Sequence, residues 1–203
     1  GRAAGRGGRG AGMTGRGRPP GMRRDELVRR IATVFRDRGY DGASLTHLAA
    51  ATGLVRASLY HAFPGGKAEM AGAVIAAIDA EVAEHVLAPL GAAGTPRDRL
   101  RAMAEGFGRL YAGGTMACAL NLFAIGEAGA LFRDAVGARI AALIDAIAAP
   151  LAEAGLPAAT AHERAQDALI AVQGALALAR MTGDIGPFAR TLAALPDRLL
   201  APA

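Results

Sequence analysis

The chain has 203 residues, of which 52% are hydrophobic and only 4% aromatic, and its net charge is +5. Alanine, the strongest helix former, supplies much of the apolar fraction, so the composition favours an all-α protein. A single cysteine, Cys118, excludes an intrachain disulfide, and no group of Cys and His residues has the spacing of metal ligands. We therefore expect neither a metal nor another cofactor.

The positive charge is concentrated at the N-terminus. Residues 1–24 carry seven arginines and no acidic residue, whereas residues 71–203 carry ten basic and thirteen acidic residues. This distribution is typical of a nucleic-acid-binding head on a nearly neutral body. Gly and Arg dominate residues 1–21, which are predicted to be a disordered tail. This tail is either a solvated extension without a partner or an additional non-specific phosphate-binding segment.

The first predicted helix begins at Met22. Apolar residues follow at spacings of three and four with charged residues on the opposite face, and Gly39 ends the helix. Ser44 is placed as the N-cap of a short second helix that stops at Gly53. A third short helix is predicted from Val55 to about residue 62, before a Pro-Gly-Gly break.

Six further helices follow, several of them marked by capping or breaking residues. Thr95 before Pro96 is typical of an N-cap with proline in the first turn, and Thr160 with Glu163 fits a capping box. Pro150 predicts a bend. These helices are predicted at about 67–86, 95–111, 117–126, 132–153, 160–181 and 187–200. The prediction is thus an all-α fold of about nine helices.

The sequence predicts a cytoplasmic protein that is not bound to a membrane. The apolar stretch 135–151 is interrupted by Arg139 and Asp145, which argues against a membrane span. The N-terminal arginines precede no apolar segment of the kind found in a secretory signal.

The most informative segment is Ser44–Met70, SLTHLAAATGLVRASLYHAFPGGKAEM. Two short helices joined through a turn that contains Gly53 form a helix-turn-helix pattern. Ala49 is small where the helices cross, and Leu59 fixes the second helix against the first. The outward residues of that second helix suit the base edges and phosphates of a major groove. They are Arg56, Ala57, Ser58, Tyr60 and His61.

The run GLVRASLYHAFPGGKAEM resembles the signature of the TetR family. In that signature the reading helix ends in Tyr-His-x-Phe and a lysine opens the next helix, and Tyr60, His61, Phe63 and Lys67 match these positions. The resemblance implies a three-helix DNA-binding domain at 22–68 and a helical ligand-binding and dimerisation domain at 69–203. It also implies a dimeric repressor that binds a palindromic operator and is released by a small apolar or aromatic effector.

The resemblance implies roles for individual residues of the motif. Tyr60 and Lys67 would contact phosphates, and Ser44 and Thr46 would hold the opposite phosphate backbone. Arg56 is the candidate for guanine recognition. His61 is either a phosphate contact or a solvated residue. The predicted DNA-binding set is Ser44, Thr46, Arg56, Ala57, Ser58, Tyr60, His61 and Lys67. Leu54, Leu59 and Phe63 are predicted to be core residues.

A second resemblance concerns the body of the chain. Residues 117–127 and 173–180 resemble the LmrA/YxaF-type subgroup of TetR regulators, although Ala117 stands where a glycine is expected. This resemblance implies an apolar and fairly planar ligand. The candidate pocket consists of Met103, Phe107, Tyr111, Asn121, Phe123 and Gln173. A Met-Phe-Tyr stripe at helical spacing is also typical of an ordinary core, and Cys118 is either a buried apolar residue or a redox sensor.

By the same resemblance, the last two helices form a dimer. The predicted interface residues are Gly174, Ala177, Leu178, Phe188 and Leu192. A dimer would place two reading helices ~34–36 Å apart, in successive major grooves. The sequence contains neither a P-loop nor a nucleophile elbow, so these motifs give no indication of an enzyme. Two alternatives stay open, a sequence-independent DNA-binding protein and a transcriptional activator.

Overall fold

The computed structural model describes residues 22–202, and in that range it contains nine helices and no strand. The prediction of an all-α fold is therefore confirmed for this range, and the tail predicted at 1–21 lies outside it. The helices are α1 (Arg24–Gly42), α2 (Leu45–Thr52), α3 (Arg56–Ala62), α4 (Gly66–Val82, continued by a π-helical turn at Ala83–Leu87 and a last turn at Ala88–Leu90), α5 (Pro96–Leu110), α6 (Ala119–Leu122), α7 (Gly126–Glu153), α8 (Ala158–Thr182) and α9 (Gly186–Leu199).

Several predicted helix ends differ from the structure. The capping box at Thr160 is wrong, because α8 already begins at Ala158 with Pro157 as its N-cap, and Thr160 lies inside the first turn. Helix α7 begins at Gly126 rather than near residue 132, and it continues through Pro150 to Glu153. The predicted helix at 117–126 is reduced to the single turn of α6.

The helix-turn-helix is built as its sequence predicts. The Ser44 side chain accepts a hydrogen bond from the His47 backbone N–H at 3.2 Å, and His47 Nδ1 accepts one from the Ser44 N–H at 3.3 Å. This reciprocal cap fixes the start of α2, and Gly53 ends it with a φ of 69° that favours glycine. Leu59 and Phe63 are fully buried, which confirms them as core residues.

An aromatic cluster joins the helix-turn-helix to the body. Phe35 and Tyr40 of α1 both pack against Phe123, which follows α6, and Tyr40 and Phe123 also pack against Phe132 of α7. The Phe35–Phe123 centroids lie 5.6 Å apart in an edge-to-face arrangement, and the Phe123–Phe132 centroids lie 5.9 Å apart. Because both sides contribute fully buried rings, the two parts share one continuous apolar core at this point.

The body is formed by α5, α7, α8 and α9 around the C-terminal part of α4. Its core includes Leu100, Phe107, Ile147 and Val172. The π-helical turn of α4 lies directly against α5 at Gly106, where a Cβ atom would overlap the backbone carbonyl of His85. Only glycine therefore permits the observed approach of these two helices.

Among the described helices, α7 is long and apolar enough to cross a membrane, judged by its length and composition alone. Long core helices of globular proteins share this length and composition. In this structure Arg139, near the middle of α7, forms an ion pair with Asp79 of α4.

Candidate nucleic-acid interface and ligand cavity

The predicted reading residues lie on the outer face of α3. Arg56, Ala57, Tyr60 and His61 are exposed and Ser58 is half-buried, whereas Leu59 faces the core on the opposite side of the helix. The hydrophobic pattern of this short helix therefore places its polar and small residues outward, where a major groove could be reached.

Arg56 connects the two short helices of the motif. Its Nη2 donates a hydrogen bond of 2.7 Å to Thr46 Oγ1, in the first turn of α2. Both residues are exposed, so the contact orients the guanidinium without burying it. Ser44 uses its oxygen as an acceptor in the helix cap, and its hydroxyl hydrogen stays available for a phosphate.

Lys67 makes two contacts with Tyr40 that the sequence did not predict. Its Nζ donates to the backbone carbonyl of Tyr40 at 3.1 Å and lies 4.3 Å from the centroid of the Tyr40 ring. An ammonium group has three donors, so two remain for a phosphate. The contact also ties the first turn of α4 to the end of α1.

Arg24 is a cation that sequence reasoning did not assign to this region. Its Nη1 donates to the carbonyl of Ala62 at 3.1 Å, and its guanidinium lies 4.7 Å from the centroid of the Phe63 ring. The residue therefore packs across the C-terminal end of α3. In the sequence it stands among the arginines of the N-terminal segment, and no local pattern separates it from them.

A cavity of about 470 Å³ lies in the body and reaches α1 at Arg36. Its wall is mostly apolar and receives residues from α1, α4, α5, α6, α7 and α8. Four of the six predicted ligand residues line it: Phe107, Tyr111, Asn121 and Gln173. Size and apolar lining both suit a small organic molecule.

Three of these residues form a hydrogen-bonded chain on the wall. Gln173 Nε2 donates to the Tyr111 hydroxyl at 3.0 Å, and Asn121 Nδ2 donates to Gln173 Oε1 at 3.3 Å. Burial raises the pKa of Tyr111 well above its ordinary value of 10.0, and the neighbouring Cys118 raises it further. The phenol is therefore neutral at physiological pH.

The other two predicted ligand residues lie elsewhere. Met103 is fully buried in the core of the body, and Phe123 belongs to the aromatic cluster with Phe35 and Tyr40. Met103 lies one turn before Phe107 on α5, but the wall of the cavity begins at Phe107. Periodicity alone could not show which end of the stripe faces the cavity and which faces the core.

The wall of the cavity also carries three charged residues that the sequence did not predict as ligand residues. They are Arg36 of α1, Asp79 of α4 and Arg139 of α7. Arg139 Nε lies 2.7 Å from Asp79 Oδ1, its Nη2 lies 2.8 Å from Oδ2, and this pairing raises the pKa of Arg139. Isolated charges on amphipathic helices are usually read as solvent-facing, and no sequence signal marks these three as neighbours.

The predicted dimer residues divide into two groups. Gly174, Ala177 and Leu178 of α8 are exposed, on a face that also carries Ile170 and Met181. Phe188, in contrast, is almost completely buried against Tyr111 and Gly114, so its aromatic ring belongs to the core of one protomer. Leu192 is half-buried on α9 and packs beside Gly108.

Two family models match the chain in tandem. Residues 27–74 match the model described as bacterial regulatory proteins, tetR family. Residues 96–194 match the C-terminal domain of LmrA/YxaF-like transcriptional regulators. The first range covers the helix-turn-helix and the core residues that support it, and the second covers most of the residues that line the cavity.

Known proteins resemble the chain over nearly its whole length. An uncharacterized HTH-type transcriptional regulator of Mycobacterium tuberculosis is 28% identical over 187 residues, which cover 88% of this chain and 94% of that protein. The structure of a CifR cysteine mutant, a TetR family regulator complexed with 26 bp operator DNA, is 26% identical with a TM-score of 0.71, and covers 91% of this chain and 99% of its own. A TetR regulator from Legionella pneumophila has the same fold at 19% identity, with a TM-score of 0.72 over 87% and 97% of the two chains.

Proposed function

Since the chain belongs to the TetR family and is a DNA-binding transcriptional regulator with an LmrA/YxaF-like C-terminal domain, we propose that it is a ligand-released repressor. As a homodimer it binds a palindromic operator through α2 and α3 of each protomer. A small apolar or aromatic molecule in the cavity lowers its affinity for that operator. It acts in the cytoplasm, where operator and effector are both accessible.

One observation carries the proposal: the helix-turn-helix and the cavity share structural elements. Helix α1 supplies Phe35 to the core of the DNA-binding unit and Arg36 to the wall of the cavity. Helix α4 holds Lys67 against Tyr40 of α1 at one end and places Ile78 and Val82 on the wall further along. A molecule in the cavity therefore contacts the same helices that position the reading face.

The expected mechanism is a shift between two separations of the reading helices. Two half-sites on one side of DNA require the paired helices to be ~34–36 Å apart. If the effector binds better to a conformation with a different separation, the population moves away from the DNA-bound state. Asn121 and Gln173 would orient the effector, and Phe107 and Tyr111 would pack against its apolar part.

Dimerisation through α8 and α9 is supported on α8 by the small and apolar residues that one protomer leaves exposed. Gly174 and Ala177 permit close helix packing, and Leu178, Ile170 and Met181 would lose solvent contact in a dimer. Operator binding by a related regulator is shown by the CifR complex, at 26% identity.

The first experiment tests DNA binding without knowledge of the operator. The purified chain is used to select duplexes from a random library, and the enriched sequence is measured by fluorescence anisotropy. We expect a palindrome bound by two protomers, with Arg56→Ala reducing the specific affinity and Arg29→Ala, on the exposed side of α1, leaving it unchanged. Selection of no sequence would favour a sequence-independent DNA-binding protein, and a monomer on one half-site would contradict the dimer.

The second experiment tests release. Apolar and aromatic compounds are screened for loss of the anisotropy signal, and each active compound is repeated with Ala142→Phe, which fills the cavity from α7. We expect the variant to bind the operator and to be insensitive to the compound. A compound that strengthens operator binding would instead point to a co-repressor or an activator.

A further inference from the structure

The wall of the cavity carries an unbalanced charge. Its ionisable side chains with a charge at neutral pH are two guanidinium groups, Arg36 and Arg139, and one carboxylate, Asp79. Since Asp79 is bound to Arg139 through both of its oxygens, the net positive charge of the wall resides on Arg36. Tyr111 does not compensate for it, because its phenol stays protonated.

Arg36 lacks a protein partner among residues 22–202. Its Nε is inaccessible to solvent and makes no hydrogen bond, and none of the ion pairs in this range includes its guanidinium. A guanidinium has five N–H donors in a fixed planar arrangement that matches the two oxygens of a carboxylate. Because solvent cannot reach the Nε, a ligand in the cavity would pair with the Nη groups of Arg36.

Neutral polar groups lie on the same wall. The Tyr111 hydroxyl accepts a hydrogen bond from the Gln173 amide, and Asn121 donates to the same glutamine. The remainder of the lining is apolar, with Leu120, Leu143 and Phe107 as typical members. The cavity thus has an apolar interior and a polar region with one uncompensated cation.

We infer that the effector has an apolar body and one anionic group, a carboxylate or a similar oxyanion, which pairs with Arg36. This inference rests on the proposed function and specifies the chemical class of its ligand. A neutral hydrocarbon would leave the Arg36 guanidinium without a partner, whereas an acid would satisfy it in a site with a mostly apolar lining, where an ion pair is stronger than in bulk water.

The position of Arg36 gives the anion a regulatory role. Arg36 follows Phe35 on α1, and Phe35 is fully buried among the aromatic residues that join the DNA-binding unit to the body. An ion pair between the effector and Arg36 therefore acts directly on a helix of the DNA-binding unit. The apolar part of the ligand would supply affinity, and its acid group would supply the contact that biases the position of α1.

The test compares two probes of nearly equal shape, naphthalene-2-carboxylate and the neutral naphthalene-2-carboxamide. Their affinities for the full chain are measured by isothermal titration calorimetry. We expect the wild-type protein to bind the carboxylate about tenfold or more tightly than the amide, as charge-assisted hydrogen bonds typically provide. In Arg36→Gln the two affinities should become equal within about twofold.

Two further variants control for charge and folding. Arg38→Gln removes the same charge from an exposed position of the same helix and should keep the preference for the carboxylate. Arg36→Lys keeps the charge but loses the planar donor pair, so it should retain a reduced preference. Circular dichroism of each variant checks folding, and the comparison of the two probes on the wild-type chain depends on no variant.

Three results would overturn the inference. The first is equal affinity of both probes for the wild-type protein, the second is a preference that survives in Arg36→Gln, and the third is binding of neither probe. Operator release is measured separately by anisotropy. A carboxylate that binds through Arg36 without releasing DNA would contradict the proposed repressor mechanism and leave the ligand class standing.

Discussion

The reading face and the ligand cavity of this protein are built in opposite ways. The reading face uses two helices that are adjacent in the chain, and its side chains are exposed and held by local bonds such as Arg56 to Thr46. The cavity gathers side chains from six helices, and Arg36 and Gln173 on its wall are separated by more than half of the sequence.

The difference shows where each function can vary. A residue of the reading face can change without disturbing the core, because only one side of α3 is buried. A residue of the cavity has a neighbour on another helix, so its replacement affects both the packing of the helices and the affinity for the ligand. The aromatic cluster joins the helix-turn-helix to the body, and α4 runs from Lys67 to the wall of the cavity, so substitutions there should not separate the two functions.

The largest expected effect comes from Phe123→Ala. Phe123 is fully buried between Phe35, Tyr40 and Phe132, and its removal leaves a cavity at the junction of the two regions. We expect the free energy of unfolding to fall by about 3–5 kcal/mol. Urea denaturation measures the loss, and Phe123→Leu is a control of closer volume that should cost much less. A small loss in Phe123→Ala would place this ring outside the shared core.

Gly106→Ala tests the contact between α4 and α5. The new methyl group would overlap the carbonyl of His85, so one of the helices must move, at a cost of about 1–3 kcal/mol or more. Gly108→Ala is the matched control on the same helix, where the nearest atom, Leu192 Cδ1, is at an ordinary distance of 3.6 Å. The control should be neutral or slightly stabilising. Equal melting temperatures for both variants would contradict the close approach seen at Gly106.

Arg56→Ala should separate the two regions. We expect the affinity for the selected operator to fall by about 1–3 kcal/mol, because the variant could not make the bidentate guanine contact proposed for Arg56. The free energy of unfolding should change by less than about 0.5 kcal/mol, since the side chain is exposed. Ligand affinity, measured by calorimetry without DNA, should be unchanged. A change in ligand affinity would show that the reading face is coupled to the cavity through α3 itself.

The smallest effect is a pH dependence that belongs to the cavity. Because the pKa of Tyr111 is raised by burial, the folded chain keeps its phenolic proton above pH 10 while the unfolded chain releases it. Stability is therefore fully present below pH 10 and falls above it, by at most about 1.4 kcal/mol per pH unit. Urea denaturation between pH 8 and 11 should show a shallower decline in Tyr111→Phe than in the wild-type chain.

Tyr60→Phe is the matched control for this titration, since it removes an exposed hydroxyl from the reading face. Its stability should follow the wild-type curve. A wild-type curve that is flat above pH 10 would mean that Tyr111 ionises in the folded chain.

The same contrast explains what the sequence could reveal. The helix-turn-helix was predictable because its signals are local: the Ser44 cap, the turn at Gly53 and the buried side of α3 lie within a few residues of each other. Phe107 and Tyr111 were predictable as wall residues from the stripe on α5 and from the family resemblance. Arg36 was not, because its role depends on the packing of α1 against helices far along the chain.

Phe188 is a second residue whose environment could not be predicted from the sequence. Its apolar character and its place in the last helix suggested a surface for a second protomer, and the structure buries it against Tyr111 and Gly114 instead. A sequence pattern identifies an apolar face but does not show whether that face is covered from within the chain. The capping box predicted at Thr160 is wrong because Pro157, three residues earlier, is already the N-cap of this helix.

The π-helical turn at Ala83–Leu87 makes the length of α4 sensitive to single residues. A π turn holds one residue more than an α-helical turn, and one residue of α-helix corresponds to a rotation of about 100° and an advance of about 1.5 Å. If the turn became regular α-helix without losing a residue, the buried Leu90 would therefore rotate away from the core, whereas deletion of one residue in the turn would restore regular α-helix and keep Leu90 on its present face. A one-residue alignment gap at this point would accordingly mark regulators whose α4 is regular there and whose last turn of α4 keeps its register against α5.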